Sequence, residues 1–183
     1  RSVATWGNTV AAVLKDCDIT AHVESNTGYL SSYEIQVILS MLRILDNPLQ
    51  DIPMAAVLAS PIVGMDDEEL AQIRSAFKGV SFAQAVLSAM AGEDGYEDEK
   101  LKAFVLVFER LRGAVADTPI HELLYMMLDE TGFYRYASAM PAGKRRRQNI
   151  DMLIEMAAAY EKTSYKGLFH FVRYIDIQQK YEM

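Results

Sequence analysis

The segment Tyr29-Leu30-Ser31-Ser32-Tyr33-Glu34-Ile35-Gln36-Val37-Ile38-Leu39-Ser40-Met41-Leu42-Arg43-Ile44-Leu45-Asp46-Asn47-Pro48 decides how the rest of the chain is read. Ser31 and Glu34 have capping-box spacing, in which the Ser side chain accepts the third helical N–H and the Glu reaches back to the cap amide. A helix is therefore predicted to start near Ser32. From Ile35 to Leu45 apolar residues point in almost every direction, interrupted only by Gln36, Ser40 and Arg43. Such a helix is expected to be buried on several sides and to sit at the centre of the domain. Asn47-Pro48 ends it, because the residue before a proline is pushed out of the helical region.

Downstream, the same signals recur. Asp51 is placed to cap a short helix with Pro53 in its first turn, and Asp66 to cap the next, where Asp67, Glu68 and Glu69 complement the helix dipole. Ser81 with Gln84 repeats the capping box and predicts a helix ending near Met90. Leu101, Phe104, Val105, Phe108 and Leu111 form a helical stripe. Thr118-Pro119 reads as a cap followed by Pro at the first helical position, opening a helix to about Thr131, with a shorter one from Phe133 to Ala139. Pro141-Ala142-Gly143 breaks the pattern before a helix from about Lys144 to Glu161, and Ser164 caps a last one that turns Leu168, Phe171, Val172 and Ile175 inward.

Upstream, residues 1–30 differ. A helix from about Asn8 to Asp16 is expected to bury Val10, Val13 and Leu14, and Ile19 to Val23 reads as a brief strand. A strand so short is marginal without a sheet to join. Nothing after residue 30 alternates with period two long enough to be a strand. The fold class is therefore mainly α: an irregular multi-helix domain of about eight or nine helices over 31–183, preceded by a short segment of different character over 1–30.

The formal net charge of −7 argues against a protein that coats nucleic acid by bulk attraction. The 18 Lys+Arg are unevenly placed: 10 lie in residues 1–143 and 8 in the last forty. Any anion-binding face is expected toward the C-terminal end. The single cysteine, Cys17, excludes an internal disulfide and suits a reducing, cytoplasmic compartment. No apolar run approaches the roughly 20 residues that span a bilayer, so no membrane partner is expected. The chain begins at Arg1 without an initiator Met and ends in mid-pattern, and is read as a piece of a larger protein.

There is no Gly-x-x-x-x-Gly-Lys-Ser/Thr loop and no Gly-x-Ser-x-Gly elbow. His22, His121 and His170 stand apart in sequence, so a metal site would need carboxylates from afar. No catalytic residue, metal or cofactor is therefore assigned to this chain on its own. Lys144-Arg145-Arg146-Arg147 is the one basic cluster. Cations destabilise a helix N-terminus, so something other than helix stability is expected to retain them, and two or three can face one phosphate backbone. The alternative is a solvated face paired with nearby carboxylates. Lys162, Lys166 and Arg173 extend the patch if the last two helices pack antiparallel. Phe104, Phe108, Phe169 and Phe171 are read as core, whereas Phe133, Tyr134 and Tyr136, alternating with Arg135, allow base stacking beside the cluster, with packing beneath a loop as the commoner alternative.

Several ordered blocks carry a resemblance: Glu34-Ile35, Leu42-Arg43, Asp46-Asn47-Pro48, Gln50-Asp51-Ile52-Pro53, Ser60-Pro61-Ile62-Val63-Gly64, Thr131-Gly132-Phe133-Tyr134, Met140-Pro141-Ala142-Gly143-Lys144 and Ser164-Tyr165-Lys166-Gly167-Leu168-Phe169. Together they resemble domain 2B of superfamily 1 DNA helicases of the UvrD and PcrA type, and more closely the AddA family of helicase–nuclease subunits. The resemblance implies that 1–30 is the edge of a RecA-like domain 2A and 31–183 the accessory domain 2B. It further implies a parent that uses ATP and Mg2+, acts on DNA ends in double-strand break repair, and pairs with an AddB-like subunit. Arg1 then matches an arginine that reaches the γ-phosphate of ATP in the family, and Val63-Gly64 lies where relatives have a glycine-centred turn whose amides touch duplex phosphates. Here that turn departs from the pattern, because Asp66-Asp67-Glu68-Glu69 follows at once, and a self-capped helix start is the alternative. Any DNA binding by this piece alone is expected to be weak. The other readings are domain 2B of a UvrD-type helicase lacking a nuclease, and a stand-alone helical interaction domain.

Overall fold

A computed structural model describes residues 29–162 and 167–182, together with positions 10, 13, 14 and 17. Among these, nine α-helices follow in order: α1 Tyr33–Asp46, α2 Asp51–Leu58, α3 Asp67–Ala76, α4 Phe82–Met90, α5 Glu99–Ala114, α6 Ile120–Thr131, α7 Phe133–Ala139, α8 Gly143–Tyr160 and α9 Leu168–Glu182. A single 3-10 turn, Glu93–Gly95, joins α4 to α5. The described residues form no strand, as expected of a mainly α domain. None of these helices is long and apolar enough to cross a membrane.

Helix α1 is the hub. It packs against α2, α5, α8 and α9, and Ile35, Ile38, Met41, Leu42 and Ile44 are fully buried. The second layer forms from neighbours in sequence: α3 and α2 on α4, α5 on α6, and α6 and α7 on α8. Even the interruptions of the apolar ring are used internally. Ser40 is buried and donates to the carbonyl of Gln36 at 2.8 Å, while Arg43 reaches Asp176 of α9 at 2.6 Å.

Two caps form as local spacing dictates. Asp66 and Glu69 complete a reciprocal capping box at α3, and Ser81 with Gln84 does the same at α4. Three others are redirected by tertiary contacts. At α1 the helix begins at Tyr33 after Ser32, and the expected Ser31–Glu34 box does not form. Ser32 donates instead to the carbonyl of Tyr29, and Glu34 turns into the core. At α2, Asp51 does not cap its own helix; it accepts the N–H of Ala83 at 2.9 Å and so caps α4 from outside. At α6, Pro119 rather than Thr118 holds the cap position without a side-chain bond, and the orphan amides of Ile120 and His121 go to the Glu161 carboxylate. A full negative charge at a helix N-terminus is a stronger acceptor than a hydroxyl, which is why the distant acid wins.

Asp51→Ala is accordingly expected to cost about 1 kcal/mol, the usual worth of an N-terminal cap, although Asp51 lies in another helix. Asp51→Asn, which keeps the accepting oxygen, should retain most of it. Urea unfolding of the two variants measures the difference; equal losses would mean the bond to Ala83 contributes nothing.

Two expectations about burial are corrected. Val10 and Val13, in the helical conformation, are 50% and 57% exposed rather than buried, and Leu14 is half-buried, because a helix buries a stripe only where another element covers it. Phe169 is 53% exposed, whereas its neighbours Leu168 and Phe171 are buried. One step along a helix turns a side chain by about 100°, and Phe169 falls outside the stripe that α9 lays on α1. The expected strand from Ile19 to Val23 and the Ser164 cap lie outside the described residues.

Candidate nucleic-acid interface

The basic cluster sits at the start of α8, and the chain reaches it through a tight corner. Gly143 is pressed against the end of α7: a Cβ there would lie 1.9 Å from the Ser138 carbonyl oxygen, so only glycine lets α8 begin at this point. Ala142 just before it is left-handed, with φ of +60°. This corner sets which way each of the next four side chains points.

The cluster divides. Lys144, Arg145 and Arg147 are exposed, and among the described residues none of them is in an ion pair. Arg146 turns inward. Its guanidinium pairs with Glu34, its Nε donates to the carbonyl of Pro141 at 3.0 Å, and its side chain is only 24% exposed. Glu34 is 1% exposed and also accepts from Asn149 Nδ2 at 2.6 Å. Burial alone would raise the Glu34 carboxyl above its ordinary value. The bonds from Asn149, its own backbone amide, Ser32 and Arg146 outweigh that, and hold it below. Arg146, Glu34 and Asn149 thus bolt the start of α8 to the start of α1.

The aromatic residues divide in the same way. Phe133 is buried, 1% exposed, so it follows the packing alternative and is not available for stacking on a base. Tyr134 is half-buried and donates its hydroxyl to Asp151 at 3.1 Å. Tyr136 is 46% exposed, with its ring offset-stacked on Phe133 at 6.3 Å and 17°. Tyr33, the first residue of α1 and the neighbour of Glu34 in sequence, is 45% exposed. Its hydroxyl is pushed up by burial and then by Tyr136, with Arg146 opposing. The Glu34 anchor was not identifiable from sequence as part of this face. The only signal was Glu34 itself, a carboxylate beside an apolar run, which local rules assign to a cap.

The turn before α3 has a different character. Gly64 takes φ of +75°, and the amides of Ile62, Val63 and Gly64 are all bonded to Ser60, while that of Met65 goes to the Leu58 carbonyl. Lys100 covers the turn, donating to the Gly64 carbonyl at 2.8 Å and pairing with Glu69 at 2.7 Å. Lys162 and Arg173 are exposed, and α9 lies on α1, meeting α8 through Tyr160, whose ring contacts Phe171 and Tyr174. Arg1, His22 and Lys166 lie outside the described residues. His121, isolated in sequence, is paired in space with Glu161 at 2.5 Å on the wall of a cleft of about 330 Å3. No group of three or more potential metal ligands occurs among the described residues.

A helical body built on one hub helix, with a cationic corner at the start of α8, belongs to the class of mainly α domains. Curated relatives make this more specific. Over 174 residues the chain is 37% identical to the AddA subunit of the ATP-dependent helicase/nuclease of Oceanobacillus iheyensis, a match covering 94% of this chain and 14% of the relative. The AddA protein of Anoxybacillus flavithermus is 40% identical over 162 residues, covering 87% and 13%, and that of Bacillus velezensis 36% over 177, covering 96% and 14%. The chain is therefore related over nearly its whole length to one segment of AddA, and spans about 14% of the length of these relatives. No protein-family model matches it.

Proposed function

We propose that this chain acts as the accessory domain 2B of an AddA-like ATP-dependent DNA helicase–nuclease, with residues 31–183 forming 2B and 1–30 the edge of the motor domain 2A. In this reading the parent processes DNA ends in double-strand break repair in the cytoplasm, and the domain touches the duplex or an AddB-like partner. ATP and Mg2+ would be held by segments beyond this chain, which carries no phosphate-cradling loop, with Arg1 contributing to the γ-phosphate from the 2A edge. The presence of a phosphate loop upstream and a nuclease motif downstream in the encoding gene tests the parentage.

The observation that carries the DNA-binding reading is the split cluster. In a chain of net charge −7, Lys144, Arg145 and Arg147 are left exposed at a helix start, where cations are unfavourable, while Arg146 provides the anchor that holds them there. The proposal also includes Val63-Gly64. A phosphate at that turn would have to displace amide bonds already made to Ser60, so the larger share falls on the three exposed cations.

Fluorescence anisotropy with a forked duplex at low and raised salt provides the test. Arg145→Glu with Arg147→Glu is expected to weaken binding at least tenfold at low salt and to reduce the salt slope by about 1 for each phosphate that is no longer neutralised. Arg146 is left intact in this variant because its loss would disturb the fold. Unchanged affinity and slope would remove the cluster from the interface.

A further inference from the structure

Helix α9 carries apolar residues on two sides and is packed on one. Leu168, Phe171, Val172 and Ile175 are buried. The helix is held from that side by Arg43 on Asp176 at 2.6 Å, by Gln179 on the Leu30 carbonyl at 3.2 Å and by the Tyr160 ring against Phe171 and Tyr174. Phe169, Arg173, Ile177 and Lys180 follow at i, i+4, i+8 and i+11. At about 100° per residue these four fall within about 80° of one another, on the side away from the core. All are exposed, Phe169 by 53% and Ile177 by 44%, and among the described residues neither cation is in an ion pair. A helix that packs on one side needs one apolar stripe, so the second pair, Phe169 and Ile177, is left over by the packing of this domain.

We infer that this outer stripe of α9 is a docking face for an acidic amphipathic helix from another part of the parent chain. The inference rests on the parentage proposed above and not on the DNA-binding reading. Charge complementarity sets the chemistry: in a chain of net charge −7 the stripe carries two cations, and Asp176 at its edge is already paired with Arg43. An apolar seam flanked by Arg and Lys matches a helix that presents Leu- or Ile-type residues with Asp or Glu beside them. A DNA duplex would be drawn by the cations, but it has no use for Phe169 and Ile177. The size of the face sets the source. A stable bimolecular interface buries roughly 1,000 Å2 or more, beyond what one helix face with two half-exposed apolar side chains offers. A segment of the same polypeptide is present at roughly millimolar effective concentration, and so small a face is enough to hold it. The match spans 14% of the Oceanobacillus iheyensis relative, so a parent of that kind has ample chain to supply the segment.

The test uses the intact parent protein, purified with its partner subunit, with the photo-crosslinker p-benzoylphenylalanine in place of Phe169 or Ile177 and, as a control, of Glu109, an exposed residue of α5. Irradiation and peptide mapping are expected to join both positions to one segment of the same polypeptide with Asp and Glu along one helical face. The yield should be at least about fivefold above the control and independent of protein concentration, as an intramolecular contact requires. Arg173→Gln with Lys180→Gln is expected to lower it about threefold, the worth of two exposed ion pairs, while thermal melting shows the variant as folded as the unaltered protein. A yield no higher than at Glu109 overturns the inference. So does a yield that rises with protein concentration, as a second copy would give, or a link to the partner subunit, to added duplex DNA or to phospholipid vesicles. A yield indifferent to both cations in a folded variant overturns the acidic character of the occupant. An encoding gene without a phosphate loop removes the parentage, and the crosslink decides separately whether the protein's own chain covers α9.

Discussion

Arg146→Ala is expected to lower the free energy of unfolding by about 3 kcal/mol, one of the largest effects of any surface-reaching side chain in this domain. The reason lies in what remains. Glu34 is 1% exposed, and without the guanidinium its carboxylate is left in the core with only neutral donors. Asn149 and Ser32 still bond it, which keeps the expected loss at the low end for a broken buried pair. Arg145→Ala, one position earlier and exposed, should change stability by less than about 0.5 kcal/mol. Urea unfolding measures both, read as a shift in midpoint at constant slope. Equal effects at the two positions would mean that Arg146 is not an anchor.

The same anchor gives a pH dependence with a definite sign. The Glu34 carboxyl sits below its ordinary value of 4.5 in the folded chain, so the unfolded chain takes up that proton first as the solution is acidified. Its contribution is therefore complete above about 4.5 and is lost as pH falls through the folded value. Glu34→Gln removes the titration. The variant is expected to be less stable than the unaltered chain at neutral pH, with the gap closing in acid. A gap that stays constant down to about pH 3 would show that Glu34 gains no protection from its partners.

Phe171→Ala is expected to cost about 4 kcal/mol, whereas Phe169→Ala, two residues away on the same helix, should stay within about 0.5 kcal/mol. Phe171 is fully buried, packed at 5.4 Å against the Tyr160 ring, and lies on the stripe that joins α9 to α1. Truncating it leaves a cavity under the hub helix. Phe169 is 53% exposed, so its loss removes little from the core. The comparison holds amino-acid type and helix constant and varies only direction. Similar losses at both positions would mean that α9 does not dock on this face.

What was legible in the sequence is what acts within a turn or two of helix. The apolar ring from Ile35 to Leu45, the stop at Asn47-Pro48, the Asp66–Glu69 and Ser81–Gln84 caps, and the span Phe133–Ala139 all depend on neighbours three or four positions apart, and each forms. The cationic corner was legible as composition, and its division was not. Nothing within Lys144-Arg145-Arg146-Arg147 distinguishes the third residue from its neighbours. What distinguishes it is a carboxylate 112 residues away.

By itself, then, the sequence determined a mainly α chain, the bounds of its helices, the hub around which they gather and the place of its surplus positive charge. Only the tertiary structure decided where three acidic side chains would go: Glu34 to Arg146, Asp51 to the amide of Ala83 32 residues on, and Glu161 to the start of α6 41 residues back. Each had a local cap as its alternative or left one unmade. A local cap and a distant one offer the same kind of hydrogen bond, so the choice falls to whichever partner the packing of apolar faces brings within reach and out of water.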